Sequence, residues 1–185
     1  RQEGNRVDDE QLAEQLKHGH RSALTPLVER HYGALIGYAY RLTYGDHALA
    51  EDLVQETFLR VLRGIHTYAY PRPFKPWLYA IATNIARNYY ASADQRRTHS
   101  DDPDDLPSAE VPDDLISAQD EEQTVITALA SLPDLHREVI ILAYYQGLTL
   151  AEIADALHIP LGTVKSRLSN GVVRLREKLK TYETT

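Results

Sequence analysis

Residues 149–168, TLAEIADALHIPLGTVKSRL, constrain this chain more than any other segment. Thr149 can accept from the backbone N–H of Glu152, and Glu152 can reach back, which is a capping box. Ile153, Ala154 and Leu157 then form an apolar face at helical spacing. His158-Ile-Pro-Leu-Gly162 breaks that helix and makes a turn. A second helix follows, opening on Thr163-Val-Lys-Ser-Arg167. Val164 and Leu168, four apart, are expected to face the core. Thr163, Lys165, Ser166 and Arg167 are the small polar and cationic types that reach base edges and phosphates from a helix in the major groove. The pattern is a helix-turn-helix, and the ligand it suggests is duplex DNA.

The net charge of −7 over 185 residues sits oddly with that ligand until it is divided along the chain. Residues 1–91 carry +1, residues 92–123 carry −9 and residues 124–185 carry +1. Within 160–180 six cations (Lys165, Arg167, Arg174, Arg176, Lys178, Lys180) face Glu177 alone, and that local patch is what matters for phosphate contact. There is no cysteine, which excludes disulfides, thiolate zinc and thiol catalysis and suits a reducing cytosol. No methionine is present, so Arg1 is not expected to be the translational start. No apolar run reaches membrane-spanning length, and the first residues lack a signal-peptide core. The apolar fraction of 43% is enough for packed cores.

The pattern is helical throughout, so the expected fold class is all-α: two small helical domains joined by a flexible acidic linker, with boundaries at 8–92, 93–117 and 118–182. Leu12 and Leu16 share a helix face that Gly19 ends. Residues 24–44 read as a second helix, with Pro26 in its first turn. Asp46 caps a third, which buries Leu49, Leu53, Thr57/Phe58, Val61/Leu62 and Ile65. Three prolines within 71–76 are expected to keep 68–76 out of a helix. A fourth helix, from Pro76 or Trp77 to about Ala91, is expected to bury Trp77, Ile81, Ile85 and Tyr89. Repelling carboxylates and prolines at 101–105 and 111–114 make 92–117 a linker. Helices are expected again near 116–131, 134–145, 150–157 and 162–181.

Two further segments carry a resemblance. Ala50-Glu-Asp-Leu-Val-Gln-Glu-Thr-Phe-Leu59 with Pro76-Trp-Leu-Tyr-Ala-Ile-Ala-Thr-Asn84 looks like sigma region 2. Leu132-Pro133, Arg137-Glu-Val-Ile140, Glu152-Ile-Ala154 and Gly162-Thr-Val-Lys-Ser-Arg-Leu168 look like sigma region 4. In that order, with nothing between, the chain resembles the extracytoplasmic-function group of bacterial sigma factors over about residues 8–181. The resemblance implies a cytoplasmic bacterial transcription initiation factor without a catalytic site, cofactor or metal. Its implied partners are core RNA polymerase (the β′ clamp coiled coil and the β flap), promoter DNA and an anti-sigma factor, commonly membrane-held; no insertion into the membrane is implied.

Residue roles follow from the same resemblance. Asp52, Gln55 and Glu56 share one helix face, and they match the positions that dock on the β′ coiled coil. The loop 68–76 matches the family loop that captures an unstacked −10 base: Tyr68, Tyr70 and Phe74 offer stacking surfaces, Arg72 and Lys75 phosphate contacts. Asn84, Arg87 and Asn88 follow on the helix that contacts −10 DNA. Thr163, Lys165, Ser166 and Arg167 match the −35 contacts, with Arg174 and Arg176 further along. The chain departs from the family at Asn88, where an acidic residue is usual, and at Ala91-Ser-Ala-Asp94, where an arginine-rich tail is usual; only Arg96 and Arg97 remain. Asn170 and Val172 stand where arginines are common. The acidic linker reads equally as an RNA mimic in the polymerase channel or as a solubilising spacer. Eight scattered histidines give no metal-ligand spacing. The competing readings are a dimeric helix-turn-helix regulator that binds an operator, and a helical interaction module with an acidic partner. The regulator does not explain the 52–56 helix or the 68–76 loop.

Overall fold

The computed structural model describes residues 7–98 and 118–183. The acidic linker therefore lies outside the described residues from 99 onward, as do the side chains of Arg96 and Arg97. The described residues form α1 (Asp9–Lys17), α2 (Leu24–Leu42), α3 (His47–Gly64), α4 (Phe74–Thr98), α5 (Ala118–Ala130), α6 (Asp134–Ile140), α7 (Leu150–Leu157) and α8 (Leu161–Glu183), and no strand is found among them.

Local chemistry sets the boundaries. Asp8 and Gln11 form a capping box at α1, and Asp46 accepts the N–H of Leu49 at the start of α3. Gly19 (φ +92°) follows the end of α1. α2 stops at Leu42, two residues earlier than expected, because Tyr44 and Gly45 both take positive φ and turn the chain into α3.

Helices α2, α3 and α4 close around Leu27, Leu35, Tyr38, Leu53, Val54, Val61 and Leu78, with α1 adding Leu12 and Leu16. Tyr38 is fully buried and its hydroxyl meets that of Thr83 at 2.7 Å, so the core carries no orphaned phenol there. A second bundle, α5–α8, packs around Leu129, Val139, Ile141, Leu142, Ile153, Leu157 and Val164. Where α8 crosses α6, a Cβ added at Gly171 would meet Ile140 Cδ1 at 2.8 Å; the missing side chain allows the close approach.

Four expectations need correction. α4 begins at Phe74, not Pro76, because Pro76 in a first turn gives up an N–H that has no partner there anyway. Its buried face is Leu78, Tyr79, Ala82, Ile85 and Ala86, while Tyr89 is 42% exposed and Trp77 and Ile81 are half-buried. The cause is that α4 packs against its own bundle and also against α7. The expected helix over 134–145 opens into a π turn at Ile141–Tyr145, which leaves Tyr144 and Tyr145 exposed and Gln146 buried. On α3 the apolar register is also shifted at its end: Val61 is buried, whereas Leu62 is 39% exposed.

Candidate nucleic-acid and polymerase interfaces

The helix-turn-helix forms as its capping chemistry requires. Thr149 N donates to Glu152 Oε2 at 2.7 Å, and Glu152 N donates to Thr149 Oγ1 at 3.2 Å. His158 ends α7 in the left-handed region (φ +52°), and α8 begins three residues later. Val164 is fully buried and Leu168 packs half-buried on the core, so α8 is fixed in rotation. That rotation leaves Lys165 and Ser166 exposed and Thr163 and Arg167 half-buried. By helical spacing Thr163, Arg167 and Arg174 lie along one edge of α8, Lys165 and Arg176 along the other, and Ser166 between them. Ser166 Oγ donates to the Thr163 carbonyl at 3.0 Å, as a serine with no other partner does on a helix surface. Burial, with the cations Arg174 and Arg167 behind it, holds the His136 imidazole below its ordinary range. The cationic character of this face thus reaches the underlying side chain.

The loop before α4 is built differently from its sequence expectation. Tyr68 and Phe74 are buried, 1% and 0% exposed, and cannot offer a free ring face here. They stand edge to face 5.9 Å apart, and both pack on Trp77. The Tyr68 hydroxyl donates to the Arg72 carbonyl, and burial pushes its phenol up to about 12. Only Tyr70, 48% exposed, keeps a ring in solvent. The Tyr70–Pro71 bond is cis. Aromatic residues in a proline-rich loop read as stacking platforms or as pillars with equal ease, and here two of three are pillars.

Arg72, Lys75 and Arg87 are each engaged by the second bundle. Arg87 forks onto Glu138, Nε to Oε1 at 2.8 Å and Nη2 to Oε2, and Glu138 is 4% exposed. Arg72 pairs with Asp155 on α7. Lys75 donates to the carbonyl of Gln146, whose side chain accepts the Tyr79 hydroxyl at 2.5 Å. Arg137, 2% exposed, lies 4.4 Å over the Tyr44 ring, and Arg41 lies 4.1 Å over that of Tyr145. Between loop and α7 a cleft of about 230 Å³ remains, lined by Arg72, Trp77, Asn84, Asp155 and His158 among others. Asn84 and Asn88 are exposed. Glu138 and Gln146 are functional candidates that sequence reasoning passed over. Nothing in their local pattern marks them, because their burial is created by the other domain.

On α3, Asp52 and Gln55 are exposed, and Glu56, half-buried, pairs with Arg60 at 2.8 Å. Leu59 and Leu62, 45% and 39% exposed, continue the same helix face. The result is an acidic patch with an apolar end, which helical spacing alone does not give because it puts Leu62 inside. Among the described residues no group of three His, Asp or Glu side chains gathers as a metal site would require, and no helix is long and apolar enough to cross a membrane.

A helix-turn-helix bundle docked on a four-helix bundle is a combination that known proteins share. The model of sigma-70 region 2 matches residues 27–97, and that of sigma-70 region 4 matches residues 128–177. The ECF RNA polymerase sigma factor SigL of Mycobacterium tuberculosis is 40% identical over 161 residues, 86% of this chain and 90% of that protein. The chain belongs to the extracytoplasmic-function sigma factors. SigW of Bacillus subtilis is 32% identical over 176 residues, 90% of this chain and 94% of SigW. Among solved structures, CnrH in complex with the cytosolic domain of CnrY superposes with a TM-score of 0.73 at 25% identity, covering 94% of this chain and 97% of CnrH. The sigma factor RpoE in complex with the anti-sigma factor NepR from Bartonella quintana gives 0.69 at 29% identity, covering 84% and 96%. This sigma factor is therefore an alternative initiation factor, directing transcription by core RNA polymerase.

Proposed function

We propose that the two bundles divide promoter recognition as follows. Residues 118–182 read −35 duplex DNA through Thr163, Lys165, Ser166 and Arg167 at the amino end of α8, with Arg174 and Arg176 on phosphates. Residues 8–92 hold melted −10 DNA through Tyr70, Arg72, Lys75, Asn84, Arg87 and Asn88, with Tyr68 and Phe74 as supports of the loop and not as stacking surfaces. The acidic segment 93–117 joins them. Asp52, Gln55 and Glu56, extended by Leu59 and Leu62, dock on the β′ coiled coil, and the C-terminal domain meets the β flap. RNA synthesis stays with the polymerase, and this chain contributes binding alone, in the cytoplasm. Joining two weak readers on one scaffold raises their effective concentration on a promoter.

The observation that carries the −10 assignment is that Arg72, Lys75 and Arg87 each already hold an oxygen acceptor, two of them carboxylates. Side chains positioned for carboxylates suit phosphates by the same charge and geometry. It follows that −10 contact requires the bundles to part, with DNA phosphates replacing Asp155 and Glu138. An anti-sigma factor is the expected repressor, since the solved relative from Bartonella quintana is bound to one; membrane tethering would come through that partner. Run-off transcription on fragmented genomic DNA, with purified core polymerase and sequenced transcript starts, tests the reading. Starts sharing −35 and −10 motifs, lost with Lys165→Ala/Arg167→Ala and with Tyr70→Ala/Arg72→Ala, are expected. Starts that persist in both double variants would refute the residue assignment.

A further inference from the structure

We infer that Glu10 and Lys17 of α1 are positioning residues for −10 base capture: α1 fixes both ends of the loop that offers Tyr70 and Arg72. This rests on the reading of 68–76 as the −10 loop. α1 lies ahead of the segment matched to sigma region 2, which starts at residue 27.

The argument begins with how α1 is held. Its apolar face, Leu12, Ala13 and Leu16, is buried. Asp9 accepts from Arg30 Nη1 and His31 Nε2, both at 2.7 Å, and Arg30 also donates to the Val7 carbonyl at 2.9 Å. Burial pulls the Asp9 carboxyl up, but the hydrogen bonds and charges of Arg30 and His31 outweigh it and keep it below its ordinary range. α1 is thus a rigid strut on α2.

From that strut two side chains, seven residues and therefore two turns apart, reach the loop. Glu10 Oε1 accepts the N–H of Phe74 at 3.0 Å, capping α4 at its first residue. A carboxylate suits that place doubly, since it satisfies an orphan N–H and meets the positive end of the helix. Lys17 Nζ donates to the Tyr68 carbonyl at 2.7 Å. Tyr68 and Phe74 are the buried pillars, and residues 69–73 are the exposed span between them. Each pillar is therefore locked twice, by its ring in the core and by its backbone on α1. A short span with both ends fixed loses little freedom when a base docks on it, and pre-organisation of this kind raises affinity without any new contact to the ligand.

The test uses holoenzyme reconstituted from core polymerase and full-length chain, on promoters opened beforehand at the −10 element. Single abasic sites are walked along the unpaired strand. With wild-type chain, complex lifetime should fall sharply when the abasic site removes the captured base. Lys17→Met and Glu10→Ala should shorten the lifetime by about one to two orders of magnitude on the intact strand, the range set by loss of a charged hydrogen bond. They should cost nearly nothing on the strand lacking that base. Lys17→Arg and Glu10→Gln, which keep a donor and an acceptor, should restore the wild-type pattern. The inference is overturned if Lys17→Met and Glu10→Ala lower Tm yet shorten lifetimes equally on every template, or leave lifetimes unchanged. Tyr70→Ala separates the two levels of the argument. If Tyr70→Ala is also silent at every abasic position, the loop is not the reader, and the underlying assignment fails first.

Discussion

Replacing Arg87 with Met should open the molecule more than any other single change between the two bundles. Glu138 is 4% exposed and its carboxylate takes two hydrogen bonds from Arg87, one of them 2.8 Å. Removing the cation leaves a buried, uncompensated carboxylate, which costs about 3–5 kcal/mol where burial is complete. The closed state has an escape, because separation of the bundles returns Glu138 to water without unfolding either core. The cost therefore appears in the closed–open equilibrium, and about 3 kcal/mol there is a shift of roughly two orders of magnitude. Glu138→Gln leaves the opposite remainder: Arg87 keeps an acceptor, and its side chain is already 36% exposed. That variant should move the equilibrium by about 1 kcal/mol, a factor of roughly five. Arg72 with Asp155, exposed at 61% and 42%, should contribute no more than about 1 kcal/mol. Because the chain has no cysteine, Glu51→Cys and Lys178→Cys give two unique dye sites, on α3 and α8. Single-molecule energy transfer on the free chain then reads the populations directly. Unchanged populations in Arg87→Met, or a larger opening in Glu138→Gln than in Arg87→Met, would refute the reasoning.

Three further outcomes are expected. Gly171→Ala puts a methyl 2.8 Å from Ile140 Cδ1 in a filled core; overpacking of about 1–3 kcal/mol should outweigh the helix preference of Ala, lower Tm, and be relieved by adding Ile140→Val. Thr149→Ala removes half of a capping box and should cost about 1 kcal/mol in thermal unfolding while leaving the α8 side chains unaltered. The Asp9 carboxyl is held below its ordinary value of 3.8, so its contribution to stability is complete above about that pH and is lost as pH falls through the lower folded value; Asp9→Asn should flatten this acid limb in a Tm–pH series.

The parts of the fold that sequence made legible are those set by neighbours along the chain. Asp8 with Gln11, Asp46, and Thr149 with Glu152 cap helices through bonds spanning three residues, and each is a local decision. The register of Val164 and Leu168 on α8 is local too, because a single core lies on one side. The errors cluster where a second surface intervenes. A single buried stripe on α4 would put Tyr89 inside, yet α4 serves two bundles, so its apolar surface is wider and turned. The family's base-capturing loop makes Tyr68 and Phe74 stacking surfaces; their burial depends instead on Trp77 and on α1, which lies some fifty to sixty residues earlier.

The residues of the interface between the bundles could not be read in advance, because their partners lie on the other bundle. Arg137, Glu138 and Gln146 are buried, yet all three are side chains that water accommodates. A permanent interface of the kind that forms an obligate unit buries mainly apolar surface, as the core of each bundle does here. This one is held by a guanidinium fork, two cation–aromatic contacts, an exposed ion pair and hydrogen bonds to Gln146. Each of these groups can be taken up by water when it separates, and a ligand that supplies its own anions can trade places with Glu138 and Asp155. DNA is such a ligand, and the cations it would take over, Arg72 and Arg87, are also the ones assigned to −10 contact. On the proposed −10 assignment, a surface that is polar, charged and covered by its own chain makes one of two alternating pairings, the other being with promoter DNA.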